Sequence, residues 1–413
     1  MPDRVARANE GNGVMSKARC STWRCVLISV IIGVLCGLVT IVTYFVLRVK
    51  PVLDQRIVLF NEIVSKGGSF SLGNVPLEIS GSDIRLLYPS SKEARLLESK
   101  SWRVYIDLWK VSFVFLAFPK RASPSEDWIE HGLEVLPAGC VLRFWDASMS
   151  PEDVRLLALR SRQPRELIFW SCHFKSNAFN QLMDITHNKM HLSFSNCMFD
   201  TVQVLSTEAK DIEFLSLSMC FADTDGFRNI FQNIRAQEVA VTIAGGSPIM
   251  DKSVWNAILG SPRLETLIIR IEDAGAVNQL CRLFENGPPC GNVEQLYLYF
   301  HGQIIAPELV IALAGRFPSV RYLTLGMGIM QSEAIIPLQH LKNLEGLSFL
   351  GSSLPENAAE RLATLPNLRK VDIGYTAVEG GCRRLVKILR DKGVIVVGGT
   401  EESGEENGSS APP

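Results

Sequence analysis

The segment PRELIFWSCHF (164–174) sets Leu167, Phe169, Cys172 and Phe174 in an L-x-x-L-x-L-x-x-C-x-L frame. The frame returns in KMHLSFSNCMF with Leu192, Phe194, Cys197 and Phe199, and in IEFLSLSMC with Ile212, Leu215, Leu217 and Cys220. The step from Leu167 to Leu192 is 25 residues and from Leu192 to Leu215 is 23. An alternating apolar strand that ends in the same thiol, at a period between about 20 and 29, marks a stack of identical units. One such unit cannot bury its apolar face alone and needs a neighbour on each side. The chain is therefore constrained to a quasi-one-dimensional array.

Weaker copies extend the array. GCVLRFWDASM supplies Leu142, Phe144, Ala147 and Met149, and WRVYIDLWKV supplies Ile106 and Leu108 as a first, irregular strand. Downstream come Leu264, Leu267 and Ile269, then Val293, Leu296 and Leu298, then Val320, Leu323 and Leu325. Leu344, Leu347, Phe349 and Leu354 follow, then Leu368, Val371, Ile373 and Val378, with GVIVV (393–397) as a closing strand. In RAQEVAVTIAG (235–245) two registers fit, Val239/Val241 and Val241/Ile243. Between strands the apolar period changes from 2 to about 3.6. Ser150-Pro151-Glu152-Asp153 opens the first such stretch, with serine as N-cap and proline at the first helical position. The expected fold class is α/β: a curved parallel sheet with helices on its convex side.

Over roughly 102–397 the chain resembles the leucine-rich-repeat family. Its units are most similar to the cysteine-containing and ribonuclease-inhibitor-like classes and to bacterial membrane-anchored repeat proteins. NLRKVDIGYTAV, with Thr376 in the thiol slot, is similar to the bacterial type. The chain departs from the family at 235–245 and in the long interval from 106 to 142, where the array is expected to be irregular.

Ahead of the array, Cys25–Leu47 carries no charged residue over 23 positions, and Arg4, Arg7, Lys17, Arg19 and Arg24 precede it. That length spans a hydrocarbon layer about 30 Å thick at about 1.5 Å per residue. A cleaved signal peptide would have an apolar stretch of about 7–15 residues and a small-residue cleavage site. This run is longer and leads into Arg48, Val49, Lys50 and Pro51. The expectation is a single-pass signal anchor in the cell membrane, with a cytoplasmic N-terminus and an extracytoplasmic repeat domain. The expected organisation is a basic tail (1–24), the transmembrane span (25–47), a juxtamembrane stalk and N-terminal cap (48–101), the repeats (102–397) and a disordered acidic tail (398–413).

Chemistry is sought and not found. The net charge of -1 gives no global basic field for nucleic acid. There is no G-x-S-x-G, no glycine-rich phosphate loop and no H-E-x-x-H. His187 and His191 are four apart, but His191 falls on a strand, which spoils a helical metal pair. The ten cysteines contain no C-x-x-C; Cys172, Cys197 and Cys220 are read as buried turn thiols. Cys281 and Cys290 would pair only in an oxidising compartment. No catalytic residue, cofactor or metal is assigned.

The concave face remains. Side chains alternate along a strand, so the residue after each inner apolar position points out of the sheet. Trp109, Trp145 and Trp170 hold that slot in three units, and Arg270, Tyr297, Tyr299 and Tyr322 occupy outward slots further on. The aromatics read either as a ridge that merely covers the sheet or as a partner-binding patch. The leading function is a membrane-anchored, non-catalytic module that binds a protein or glycan. The alternative is an envelope spacer with no discrete ligand.

Overall fold

A computed structural model describes residues 34–66, 69–73 and 113–398, apart from 135, 137–138, 162 and 205–208. The basic tail 1–24, residues 25–33 of the expected span, most of the juxtamembrane interval and the acidic C-terminus therefore lie outside the described residues, as do Ile106, Leu108 and Trp109.

The main sheet has thirteen strands in strict chain order. They are β1 (Ser69–Gly73), β2 (Phe113–Lys120), β3 (Val141–Trp145), β4 (Glu166–Trp170), β5 (His191–Ser195), β6 (Lys210–Ser218) and β7 (Ile234–Ile243). They continue as β8 (Thr266–Ile271), β9 (Gln295–Tyr299), β10 (Tyr322–Gly326), β11 (Gly346–Ser348), β12 (Lys370–Asp372) and β13 (Ile395–Val397). Only β1 is antiparallel to its neighbour. The rest is parallel, the arrangement of a leucine-rich-repeat-type solenoid.

One side chain in two enters the core. Leu142, Leu167, Leu192 and Leu215 stand opposite one another on successive strands and are fully buried. The next inward row is aromatic: Phe118, Phe144, Phe169 and Phe194 stack at centroid distances of 4.8, 5.7 and 5.3 Å. Offset stacking at this spacing adds a favourable quadrupole contact to the area buried.

The two expected irregularities resolve differently. In β7, Val239 stands between Leu215 and Leu267, and Val241 between Leu217 and Ile269, which selects the Val239/Val241 register. The sheet passes through this unit without a break. Beside β3, the paired strand is β2, with Leu116 opposite Leu142 and Lys120 opposite Trp145 after a register shift.

The turn that leaves each strand repeats one device. Cys172, Cys197 and Cys220 aim their thiols at the carbonyls of Phe144, Phe169 and Phe194, at 3.6, 3.3 and 3.4 Å. Ser352 and Thr376 donate in the same way to Leu325 and Phe349 at 2.7 and 2.8 Å. The residue before each thiol is left-handed: Ser171, Asn196 and Met219 have φ of 53, 53 and 50°. Cys281 and Cys290 are both free; Cys290 is buried with its thiol toward the Leu259 carbonyl, and Cys281 points to Glu285.

The return segments are mostly helical and lie on the convex side. α1 (Lys50–Ser65) precedes β1, α2 (Asp127–Leu133) precedes β3, and α3 (Pro151–Arg160) precedes β4. Ser150 and Asp153 cap α3 reciprocally, a full capping box. One return, Ser332–His340, is a 3-10 helix that contains Pro337.

α1 buries Leu53, Ile57, Leu59, Phe60 and Ile63 against the first strands and α2, with Leu59 resting over Gly132. It continues upstream without a gap through a π-helical turn, Phe45–Val49, into an exposed apolar helix. The stretch Val34–Ile63 is long and apolar enough to cross a membrane by length and composition.

Leu192, Leu215, Leu323 and Leu347 are all buried, whereas Ser193 and Ser348 point out of the sheet and are half-buried. Leu→Ala at any of the four is expected to cost about 2–5 kcal/mol in denaturant titrations. Ser193→Ala and Ser348→Ala should change stability by less than about 0.5 kcal/mol.

Candidate functional site

The outward positions of β3 to β10 form three rows across the concave face. At the strand starts stand Val141, Glu166, His191, Phe214, Glu238, Thr266, Gln295 and Tyr322. The middle row holds Arg143, Ile168, Ser193, Ser216, Ala240, Ile268, Tyr297 and Thr324. The last row runs Trp145, Trp170, Ser195, Ser218, then Arg270, Tyr299 and Gly326. Thr242, on β7 between Ser218 and Arg270, donates to the Ser218 hydroxyl at 3.0 Å.

Trp145 and Trp170 meet as the sequence pattern expects. Their rings stack at 5.8 Å with an interplanar angle of 30°, and each is still about two-fifths exposed, at 42 and 40%. The buried Arg143 guanidinium lies 4.9 Å from the Trp170 ring and 5.8 Å from the Trp145 ring. A cation against an aromatic face is held by the ring quadrupole, which fixes both partners. The third place in this row is not tryptophan. Trp109 lies outside the described residues, and the sheet position beside Trp145 on β2 is Lys120, which pairs with Asp146 at 3.5 Å.

The tyrosine group is separate. Arg270 stands opposite Tyr299, while Tyr297 and Tyr322 sit one and two strands from β8. Four strand spacings divide Trp170 from Arg270, about 19 Å at about 4.8 Å each. In the middle and last rows the floor between is made of small residues: Ser193, Ser195, Ser216, Ser218, Ala240 and Thr242. Tyr299 and Tyr322 lean toward the next strand, where Gly326 and Gly346 leave room. A Cβ there would come within 2.9 and 2.7 Å of the tyrosine rings. Burial pushes the hydroxyls of Tyr297 and Tyr299 up; nearby Glu238 adds to the first and Arg270 opposes the second.

Sequence reasoning picked only Tyr322 from the strand-start row and missed the rest of it. Glu166 is only 7% exposed, and burial raises its carboxyl from the ordinary 4.5 to about 7, against a smaller pull from Arg165. Across the strand, His191 is pushed down by burial, with Glu213 opposing and Arg165 adding to the shift. Glu238 is raised by burial and by Glu213. The signal was available: in ELIFW the outward set is Glu166, Ile168 and Trp170, and only the last slot was followed. His187 takes no part, because its ring nitrogen is bonded to the Pro164 carbonyl at 3.0 Å. Among the described residues no cluster of His, Cys, Asp and Glu has the arrangement of a metal site.

No family model and no curated protein matches the chain. Solved structures do resemble it. They include the mouse RP105/MD-1 complex, at 16% identity and a TM-score of 0.40, over 61% of this chain and 41% of that one. The yeast Rad7–Elc1 complex aligns at 13% identity and a TM-score of 0.35, over 88% and 97% of the two chains. An internalin of Listeria monocytogenes aligns at 11% identity and a TM-score of 0.28, over 74% and 92%. The chain thus spans about two-fifths of the RP105-complex chain that it matches. The repeat architecture rests on the chain's own register and turns.

A carboxyl whose folded value is raised binds a proton on folding, so its contribution to stability falls as pH rises from about 4.5 through about 7. Glu166→Gln should remove that slope. It is expected to melt like the wild type at pH 4.5 and to be more stable at pH 8, on the order of 3 kcal/mol at about 1.4 per unit. Thermal melts at the two pH values check this.

Proposed function

We propose that the protein is a membrane-anchored, non-catalytic interaction module whose concave face binds a protein partner. The observation that carries the reading is the stacked pair Trp145 and Trp170, left two-fifths exposed on a rigid parallel sheet. Large rigid aromatics lose little entropy on binding and dominate recognition hot spots. The whole face supports a protein ligand by composition. Trp, Tyr and Arg stand among Ser, Thr and Gly, which is the chemistry of an antibody paratope. Trp145 and Trp170 supply the first contact, and Arg270, Tyr297, Tyr299 and Tyr322 a second about 19 Å away.

Capture from solubilised membranes with tagged full-length protein tests the reading. A discrete protein partner is expected with the wild type. Trp145→Ala and Trp170→Ala should each weaken its capture by more than about 1 kcal/mol, with the melting temperature nearly unchanged. A wild type that captures no stoichiometric protein would favour the envelope-spacer alternative.

The anchoring part of the proposal is supported by the uncharged Cys25–Leu47 run and the exposed apolar helix that leads into α1. The protein should sediment with membranes and resist carbonate extraction. Protease added from outside should digest residues beyond about 50. A soluble mature chain that starts near this point would instead mean signal cleavage.

A further inference from the structure

The two ends of the solenoid are finished differently. At the first, antiparallel β1 and α1 close the stack, and Leu53, Ile57, Phe60 and Ile63 are buried there. At the other, β13 pairs with β12 alone and is the outermost strand of the sheet. The core positions of this unit are left partly open. Val378, Cys382, Val386 and Val396 are only half-buried, whereas Leu354, Ala358, Leu362 and Val371, one unit back, are buried. A terminal unit without a polar cap shows its core in section. On the concave side Ile395 and Val397 are exposed as well.

The strand edge is open too. The Ile395 N–H donates to the Arg369 carbonyl and the Val397 carbonyl accepts from the Ile373 N–H, at 2.8 and 2.9 Å. Backbone groups alternate in direction along a strand, so the N–H and carbonyl of Val396 face away from the sheet. Such an edge is a template for a further strand. Its flank is basic. Residues 379–398 hold Arg383, Arg384, Lys387, Arg390 and Lys392 against Glu379 and Asp391. In the helix Cys382–Asp391, Arg384 turns back to Glu356 and Glu360 of the preceding unit, at 3.3 and 2.6 Å. Arg383, Val386 and Arg390 follow one another at helical spacing on the side away from that unit. Arg390 and Lys392 are exposed in the turn that leads into β13.

We propose that β13 and the helix Cys382–Asp391 form a second interaction surface, which takes an extended, acidic and apolar segment of a partner polypeptide. The segment adds to the free edge of β13 and bonds the Val396 backbone. Its inward side chains cover Val386 and Val396, as the next unit of an array would. Its carboxylates meet Arg390 and Lys392 beside the start of the strand. Charge selects this occupant. A second copy joined at this end would set the same basic helix against itself, and like charges held together oppose association. The segment of this chain that follows, 399–410, is acidic but has no apolar residue to cover the open core. This surface lies at the far end of the sheet from Trp145 and Trp170 and does not depend on what they bind.

The probe is a labelled, acetylated heptapeptide amide, Glu-Glu-Val-Thr-Val-Glu-Glu, followed by fluorescence anisotropy with full-length protein in detergent at low salt. Saturable binding is expected, and the same peptide with lysine for glutamate should not bind. Arg390→Glu combined with Lys392→Glu should weaken binding about tenfold or more, with the melting temperature unchanged because both residues are exposed. N-methylation of the Val-Thr-Val backbone keeps the charge but blocks strand addition, and it should abolish binding. Equal binding by wild type and variant, binding that survives N-methylation, or no saturable binding would overturn the proposal. Two further outcomes would overturn it by naming another occupant. Binding that appears only when Glu401, Glu402, Glu405 and Glu406 are changed to glutamine would assign the edge to this chain's own segment. A dimer in sedimentation that the peptide splits would assign it to a second copy. All of these leave partner capture through Trp145 and Trp170 standing.

Discussion

The carbonyls at the end of each concave strand point into a dry interior, and the stack depends on their being satisfied. The answer comes from the next unit along: Cys172 serves Phe144, Cys197 serves Phe169 and Cys220 serves Phe194. A donor that must reach across one repeat fixes the spacing and the register of that repeat. The phenylalanine stack and the outward rows then follow as consequences. The thiol is a weak donor, but it packs as a small apolar group where a hydroxyl would cost more to bury. It also stays protonated. Cys172 is pushed far up by its hydrogen-bonding neighbour Cys197 and by burial, and Cys197 by burial first. In the middle of the array another device takes over. Asp273 caps its own helix at the Ala276 N–H and reaches back to the Gly245 N–H, each at 2.8 Å.

The ladder explains what could be read from residues alone. Strands with a thiol, serine or threonine in the turn slot carry their register in the sequence, as at Leu192/Phe194 and Leu347/Phe349. β7 has no such residue and alternates valine, alanine and threonine, so two registers looked equal. Only pairing with Leu215/Leu217 and Leu267/Ile269 decides between them. β2 was hidden for another reason. FVFLAFPK is apolar on both faces and has a register shift before Lys120, so it shows no alternation to follow. The tryptophan pair was legible because outward direction follows from strand parity. Glu166 and His191 were not, because a carboxylate on an open face reads as solvated until the burial around it is seen.

The concave face has two halves built by different rules. Near β3 and β4 the rings stand up and stack, steadied by Arg143 from below. Near β9 and β10 Tyr299 and Tyr322 lean over glycines, where any larger residue would lift them. The first half offers ring faces already ordered in the free protein. The second offers hydroxyl tips on rings whose position is set by what lies beneath them. The serine floor between keeps the two apart and adds no bulk of its own.

The helix that enters the fold has no joint. The apolar segment from Val34 passes through the π-helical turn Phe45–Val49 into α1, whose Leu53, Ile57 and Phe60 are locked into the end of the solenoid. Whatever holds the apolar part therefore also sets the heading of the whole array. An α-helix turns about 100° per residue and advances about 1.5 Å. One residue inserted or deleted between Leu47 and Lys50 would swing the concave face through more than a quarter of a turn about the helix axis while leaving its height almost unchanged. The few positions around Arg48 act as a compass bearing for the concave face, written in residue count rather than in residue type.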